Sequence, residues 1–342
     1  MSRVCCVTGA AGYIGSWLVK KLLGRGCVVH ATVRNLGDEK IELLRAFPGA
    51  AERLRLFEAD LYDAVAFEHA IAGCEFVFLV AAPMVRHCSD GQSKDAIEAV
   101  VTATRTILEQ CERSKTVRRV IYTGSVVAAS PLKEDGSGYK DVVDESCWTP
   151  LGLSYGYNNE GLDGYVSAKT LCEKALLSYQ GGSDSQRQSR AFEVVTLLCG
   201  LVGGDTLLPF PHGSLQSMVS PLITGDETWY TYGLKFMQAL LGAVPLVHVD
   251  DACEAHVFCM DRRSIAGRFL CAAAWPNMRD IVDHYRGKHD HGLNPAAKEV
   301  EGEGVRVQAA TSKLLDLGFR YRYGAEEVLD CSVECAKRLG VL

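Results

Sequence analysis

No apolar run in this sequence approaches the roughly 20 residues that span a bilayer. The longest, such as Phe76 to Ala82, stop far short, so no transmembrane helix is expected. Positive charge is also scarce. The 36 Lys and Arg stand against 42 Asp and Glu, a net charge of -6, which offers no cationic surface to nucleic acid or anionic lipid. Cysteine is present but unorganised: 14 residues, about 4% of the chain, fall under the roughly 8 to 10% of disulfide scaffolds. Cys5 and Cys6 are adjacent, Cys147 stands alone, and no pair repeats a CxxC zinc spacing. Only Met1, Ser2 and Arg3 precede the apolar run at Val4, with no leader and cleavage site, so the expectation is a cytoplasmic protein with reduced thiols.

What is there is the composition of an ordinary globular chain, 48% hydrophobic and 23% charged, long enough at 342 residues for about two domains. Short β-branched runs alternate with amphipathic helical patterns over the first 200 residues, the sequence form of repeated βαβ units. Strands are expected at Val4 to Thr8, Cys27 to Val33, Leu54 to Ala59, Phe76 to Ala81, Val120 to Thr123 and Val194 to Leu198. Between them, Ile14 to Leu23 is closed by Gly24 and Gly26, and Lys94 to Ser114 places Ile97, Val100, Val101, Thr104, Ile107, Leu108 and Cys111 on one face. The fold class is therefore α/β, a Rossmann-type doubly wound parallel sheet. Gln180 to Arg190 is polar and reads as an exposed loop. Beyond about residue 205 the alternation weakens around Pro209, Pro211, Pro221 and Pro245. This divides the chain into a nucleotide-binding domain, 1–204, and a smaller C-terminal substrate lobe, 205–342, with some segments returning to the first domain.

Residues 4 to 15 read VCCVTGAAGYIG, so Gly9, Gly12 and Gly15 fall between a buried strand and a helix, the place of a dinucleotide phosphate loop. Gly9 allows the tight turn, Gly12 lets backbone N–H groups approach a pyrophosphate, and Gly15 lets the helix pack closely. The helix start at Tyr13 and Ile14 then faces the phosphates with partial positive charge. With 33 glycines in the chain, the spacing alone is weak, and its strand-turn-helix context carries the reading. The second strand ends before Arg34, where an NAD site would normally place a carboxylate. A guanidinium there suits the 2'-phosphate of NADPH, with Lys40 as a second cation; a solvated surface arginine is the plainer alternative. Asp60 and Leu61 are placed to meet the adenine edge, although an Asp capping the next helix explains Asp60 equally well.

Tyr165 and Lys169, in GYVSAKT, are four residues apart at the start of a helical run and so share one face. A phenol is a reluctant acid near neutrality, and an ammonium beside it favours the phenolate, which makes such a pair a working proton donor. The spacing is common by chance, as a packed tyrosine above a surface lysine. It gains weight from Ser125, which ends the fifth strand in IYTGSVVAAS at the edge where open α/β sheets bind ligands. That hydroxyl would bond a substrate oxygen or else cap a turn.

Other candidates are weaker. His284, His289 and His291 lack a metal-ligand spacing, nearby acids do not converge on them, and no metal is expected. Phe210, Met218, Trp229, Tyr230, Tyr232, Phe236 and Met237 either line an apolar pocket for a flat ligand or form the core of the small lobe. His248, Asp250 and Asp251 in VHVDDACEAH read as a strand running into a capped helix.

TGAAGYIG, the serine ending the fifth strand, and YVSAK together resemble the extended short-chain dehydrogenase/reductase superfamily over essentially the whole chain. FLVAAPM at Phe78 to Met84, VRRVIYTGS, DESCW, SAKTLCEKA, SPLITG and HVDDACEAH look like the plant flavonoid reductases, which include anthocyanidin and dihydroflavonol reductases. That resemblance implies a cytosolic NADPH-dependent reductase of a small flavonoid; the charge balance gives no nucleic-acid or membrane partner, and monomer and oligomer both stay open. It implies Ser125, Tyr165 and Lys169 as catalytic residues, Val80, Ala81, Ala82 and Cys199 along the cofactor, and Met84 and Ser130 beside the substrate.

Departures from the family pattern bear on the substrate. The fifth residue after the serine, usually Asn or Asp in dihydroflavonol reductases, is Ser130. SVVAASPLKEDGSG and GLKFMQALLG look more like anthocyanidin reductase, which makes a flavan-3-ol with two hydrides. Flavanone 4-reduction follows closely, then dihydroflavonol 4-reduction, with cinnamoyl-CoA-type reductases more remote. Cys199 stands where the family usually has a proline, which would loosen that loop, and Gly124 where it commonly has serine. A sugar-nucleotide epimerase or dehydratase, or an NADPH-binding protein without turnover, are the rival readings.

Overall fold

The computed structural model describes residues 2–81, 92–179, 191–288, 306–342, and residues 293, 294, 297 and 300. The main sheet is built from β1 (Val4–Val7), β2 (Val28–Val33), β3 (Leu54–Glu58), β4 (Phe76–Leu79), β5 (Arg119–Ser125), β6 (Glu193–Cys199) and β7 (Gly267–Cys271). Their order across the sheet is β7-β6-β5-β4-β1-β2-β3. The pairs β1–β2, β1–β4, β2–β3 and β4–β5 run parallel, in register from Val4 opposite Val28 to Leu79 opposite Tyr122. Central strands of such a sheet are covered on both faces, and β4, reading FVFL, is buried throughout. At the edge, β3 reads LRLFE and turns Arg55 and Glu58 to solvent, which discourages pairing with another chain.

The six expected strands are present, and β7 is a seventh. Its short run GRFLC hides behind Arg268, a charge that reads as surface but is buried and paired. The same effect shortened the expectation for β5. Arg119 opens that strand while buried, because its guanidinium bonds the carbonyls of Cys259, Met260 and Arg262 and pairs with Glu193. Helix α1 spans Tyr13–Gly24 and α2 spans Gln92–Ser114. On α2, Val100, Thr104, Ile107, Leu108 and Cys111 are buried in the face expected from their spacing, while Glu98, Arg105 and Glu109 are exposed. The polar stretch at 180–190 lies outside the described residues. Helices α3 (Glu160–Ser178) and α4 (Val249–Asp261) complete the elements that carry candidate residues. Among the described residues, no helix is long and apolar enough to cross a membrane.

By packing, the chain forms two compact units, one of residues 1–124, 167–197 and 253–269, the other of 125–166, 198–252 and 270–342. Where chain order points to a break near 204, the packing sends 125–166 to the second unit and returns 253–269 to the first. Sequence periodicity reports neighbours along the chain and is blind to such returns. The second unit has its own core, centred on Tyr230 and Tyr285, with the Tyr285 hydroxyl donating to the Met218 carbonyl at 3.1 Å. Two short parallel ribbons, 142–143 with 308–309 and 201–203 with 246–248, belong to it. Asp251, fully buried, accepts the backbone N–H groups of Arg322 and Tyr323 and ties down the segment before the last helix. Of the aromatic and Met group, Met218, Tyr230, Phe236 and Met237 are core, Phe210 and Tyr232 are exposed, and Trp229 lies against Gly213.

Candidate active site

The turn after β1 is fixed by backbone geometry. Gly9 has φ +64°, and a Cβ there would sit 2.9 Å from the Ala81 Cα. That position therefore excludes a side chain twice, by torsion and by space. A Cβ on Gly15 would lie 2.3 Å from the Gly9 carbonyl oxygen, so this glycine spares the turn itself more than helix–strand packing. Gly12 donates its N–H to the Gly9 carbonyl at 3.0 Å and starts α1 with no side-chain cap and no acidic residue in the first turn. The first amides of α1 are thus without a side-chain acceptor at the cap, which suits the pyrophosphate of a dinucleotide.

Thr8, which sequence reasoning passed over, laces the turn to β4. Its hydroxyl accepts the N–H groups of Val80 and Ala81, both at 3.0 Å, and donates to the Phe78 carbonyl at 3.3 Å. Its place immediately before Gly9 was the available signal. Val80 and Ala81 are half-buried beside the turn, whereas Ala82 and Met84 lie outside the described residues.

Arg34 is exposed at the end of β2. Lys40 keeps its ammonium 3.7 Å from Asp38, so its charge is partly answered within its own loop. Asp60 acts as a cap, accepting the Tyr62 N–H at 2.9 Å, and Leu61 packs against the core of the first unit. The capping role competes with the adenine role for the same carboxylate.

Lys169 is 4% exposed, and its ammonium donates to the Thr123 carbonyl at 3.0 Å and lies 5.2 Å from the centre of the Tyr122 ring. A buried ammonium needs acceptors, and the last turn of β5 supplies this one. Tyr165 lies one turn earlier on α3, half-buried against the core of the second unit. Ser125 is half-buried at the end of β5, caps the short helix Val126–Ala128, and accepts the Val127 N–H at a long 3.4 Å. In that bond the hydroxyl oxygen is the acceptor, so its own proton is not used there.

Ser130 has a different task from the expected substrate contact. It is fully buried, its hydroxyl donates to the Leu240 carbonyl and accepts the Leu132 N–H at 3.1 Å, so both functions are spent inside the fold. The loop at Cys199 is likewise tied rather than loose. Gly200 donates to the Cys271 carbonyl at 3.0 Å, Leu201 donates to the Pro245 carbonyl at 2.7 Å, and a Cβ at 200 would lie 2.6 Å from that Pro245 oxygen. Cys199 itself is buried. Two further missed residues support α3: Glu173 forms a two-point ion pair with Arg268, at 2.9 and 3.0 Å, and accepts from Thr196 at 2.7 Å. An acid does converge on one histidine, since His284 pairs with Asp330 at 2.8 Å; His289 and His291 lie outside the described residues. Among the described residues no group of three His, Cys, Asp or Glu could hold a metal ion.

Comparison with known proteins gives one family match and several relatives. The model of the NAD dependent epimerase/dehydratase family matches residues 5–270. Over 338 residues the chain is 35% identical to a putative anthocyanidin reductase of Ginkgo biloba, covering 98% of this chain and 95% of that one. An anthocyanidin reductase ((2S)-flavan-3-ol-forming) of Vitis vinifera is 34% identical over 348 residues, 99% and 97% of the two chains. Among solved structures, vestitone reductase from alfalfa (Medicago sativa L.) has a TM-score of 0.77 at 29% identity, with 99% of both chains covered.

Proposed function

The chain belongs to the NAD dependent epimerase/dehydratase family, within the extended short-chain dehydrogenases/reductases, and from that premise we propose that it is an NADPH-dependent reductase of flavonoids. The first substrate class is anthocyanidins, reduced to flavan-3-ols, with flavanone 4-reduction as a second activity. The observation that carries the reading is the turn at Gly9 to Gly15, where side chains are excluded beside an uncapped helix start, in a chain with full-length relatives named anthocyanidin reductase.

Tyr13, Ile14 and Gly15 would hold the pyrophosphate through backbone N–H groups at the start of α1, with Gly9 and Gly12 shaping the turn, Val80 and Ala81 would line the cofactor, and the exposed Arg34 would meet the 2'-phosphate. Bound NADPH supplies a hydride to the electrophilic carbon of the substrate. The Ser125 hydroxyl orients the substrate oxygen, and Tyr165 delivers a proton to that oxygen when the substrate is a ketone. Lys169, whose ammonium is anchored at the Thr123 carbonyl, would hold the nicotinamide ribose. Reducing a flavylium cation to a flavan-3-ol takes up two hydrides and one proton. Ser130 supports anthocyanidin over dihydroflavonol, because its hydroxyl is committed to Leu240 and Leu132.

The test is NADPH oxidation by the purified protein with cyanidin, a flavanone and a dihydroflavonol side by side, repeated with NADH. Cyanidin is expected to turn over fastest, and NADPH to be preferred. Tyr165→Phe is expected to lower flavanone reduction by about 10²- to 10⁴-fold with NADPH affinity nearly unchanged. Full flavanone turnover in that variant would remove Tyr165 as the proton donor.

A further inference from the structure

Resting on the reductase reading, we propose that His256 is a positioning residue that holds Lys169 in its working place through Thr123. His256 lies on α4 and is fully buried, with its Nε2 2.8 Å from the Thr123 hydroxyl. Its ring is steadied by Phe78 on β4, the two centres 6.3 Å apart and the planes inclined at 46°. The Thr123 carbonyl is the acceptor for the Lys169 ammonium. One residue of β5 therefore faces the lysine with its backbone and the histidine with its side chain.

The sequence explains why that residue needs a second hold. The next residue is Gly124, and a peptide followed by glycine has more torsional freedom than any other. Left alone, the carbonyl that anchors Lys169 would sit on the loosest link of the strand. Threonine is stiff about χ1, so a bond to its hydroxyl fixes its backbone as well. A buried hydroxyl–imidazole pair is also an unneeded choice for stability alone, since an apolar pair of similar shape can be nearly neutral. Its value lies in its position, one peptide group from a buried ammonium whose placement to within about 1 Å governs the rate.

The pair is tested with His256→Leu, Thr123→Val, their double variant and His256→Gln, whose amide can again bond the hydroxyl. Leu108→Ala, a core cavity on α2, serves as a control for lost stability. Two readouts are taken: kcat with saturating NADPH and substrate, and the rate at which Lys169 is reductively methylated in the cofactor-free protein, followed by mass spectrometry of its peptide. In each single variant kcat is expected to fall ten- to a hundredfold and methylation to accelerate several-fold. The double variant is expected to be no worse than either single one, because both break the same link. His256→Gln is expected to restore most of both values, and Leu108→Ala to leave the methylation rate unchanged. Wild-type methylation rates in His256→Leu and Thr123→Val, additive losses in the double variant, or acceleration by Leu108→Ala would each overturn the proposal. Absence of flavonoid turnover in the wild type counts against the reductase reading alone, because the methylation pattern does not depend on substrate.

Discussion

The two units treat buried polarity differently. In the first, charge meets charge or a committed acceptor: Glu173 with Arg268, Arg119 with Glu193 and three carbonyls, Lys169 with Thr123. In the second, the buried carboxylates of Asp251 and Glu145 accept backbone N–H groups; buried polar atoms with no hydrogen-bond partner occur in both units, Trp17 Nε1 and Thr170 Oγ1 in the first and the phenol oxygens of Tyr155 and Tyr230 in the second. Directional charged bonds fix geometry at a high cost for any error, whereas aromatic bodies with unspent polar tips tolerate rearrangement.

The sharpest blow to that contrast falls on Glu173. Glu173→Leu leaves Arg268 buried without its anion and is expected to cost about 3 to 5 kcal/mol in urea unfolding, whereas adding Arg268→Met recovers much of the loss. A cost under about 1 kcal/mol, the range of exposed pairs, would mean that the first unit is not clamped by charge.

Next in size is an acid effect in the second unit. Burial pushes His212, which caps Gly213–Val219, from 6.5 down to about 3. Below pH 6.5 the unfolded chain takes up a proton that the folded one refuses until about pH 3, so stability falls as pH falls through that window. At pH 5 the loss reaches about 2 kcal/mol, from roughly 1.5 units at 1.36 kcal/mol each. His212→Asn keeps an acceptor at the cap and is expected to flatten this slope between pH 7 and pH 5. His30, also lowered by burial, keeps a residual slope of the same sign in the first unit.

The smallest effect is expected at Tyr230. Burial raises its phenol to about 12, and its hydroxyl has no partner, so Tyr230→Phe is expected to raise stability by about 1 kcal/mol in thermal unfolding. A loss of that size would show that the hydroxyl is engaged, and the contrast between the units would narrow.

The sheet was legible because central parallel strands are apolar runs of four to seven residues between glycine-marked turns. What escaped is polar and buried. Arg119 and Arg268 look like surface residues until the chain brings Glu193 and Glu173 to them, 74 positions later and 95 positions earlier. At the candidate site, the turn glycines and the four-residue spacing of Tyr165 and Lys169 on α3 are local features, whereas the anchor of Lys169 on the Thr123 carbonyl, 46 residues away, is not. His256 was invisible for the same reason as the arginines, since its partner Thr123 is 133 residues away. Ser130 misled because a residue's place in a motif says nothing of which way its hydroxyl is already bonded.

Arg34 stands apart from all this machinery. It follows a buried strand, yet it is exposed, and Glu58, opposite Val33 on the edge strand, accepts the Leu36 N–H at 3.1 Å. Exchanging that guanidinium for an acid disturbs no core contact, so the coenzyme preference proposed for Arg34 would be a surface trait on an interior scaffold. On that proposal, one substitution at position 34 would change the electron donor at little expense to folding.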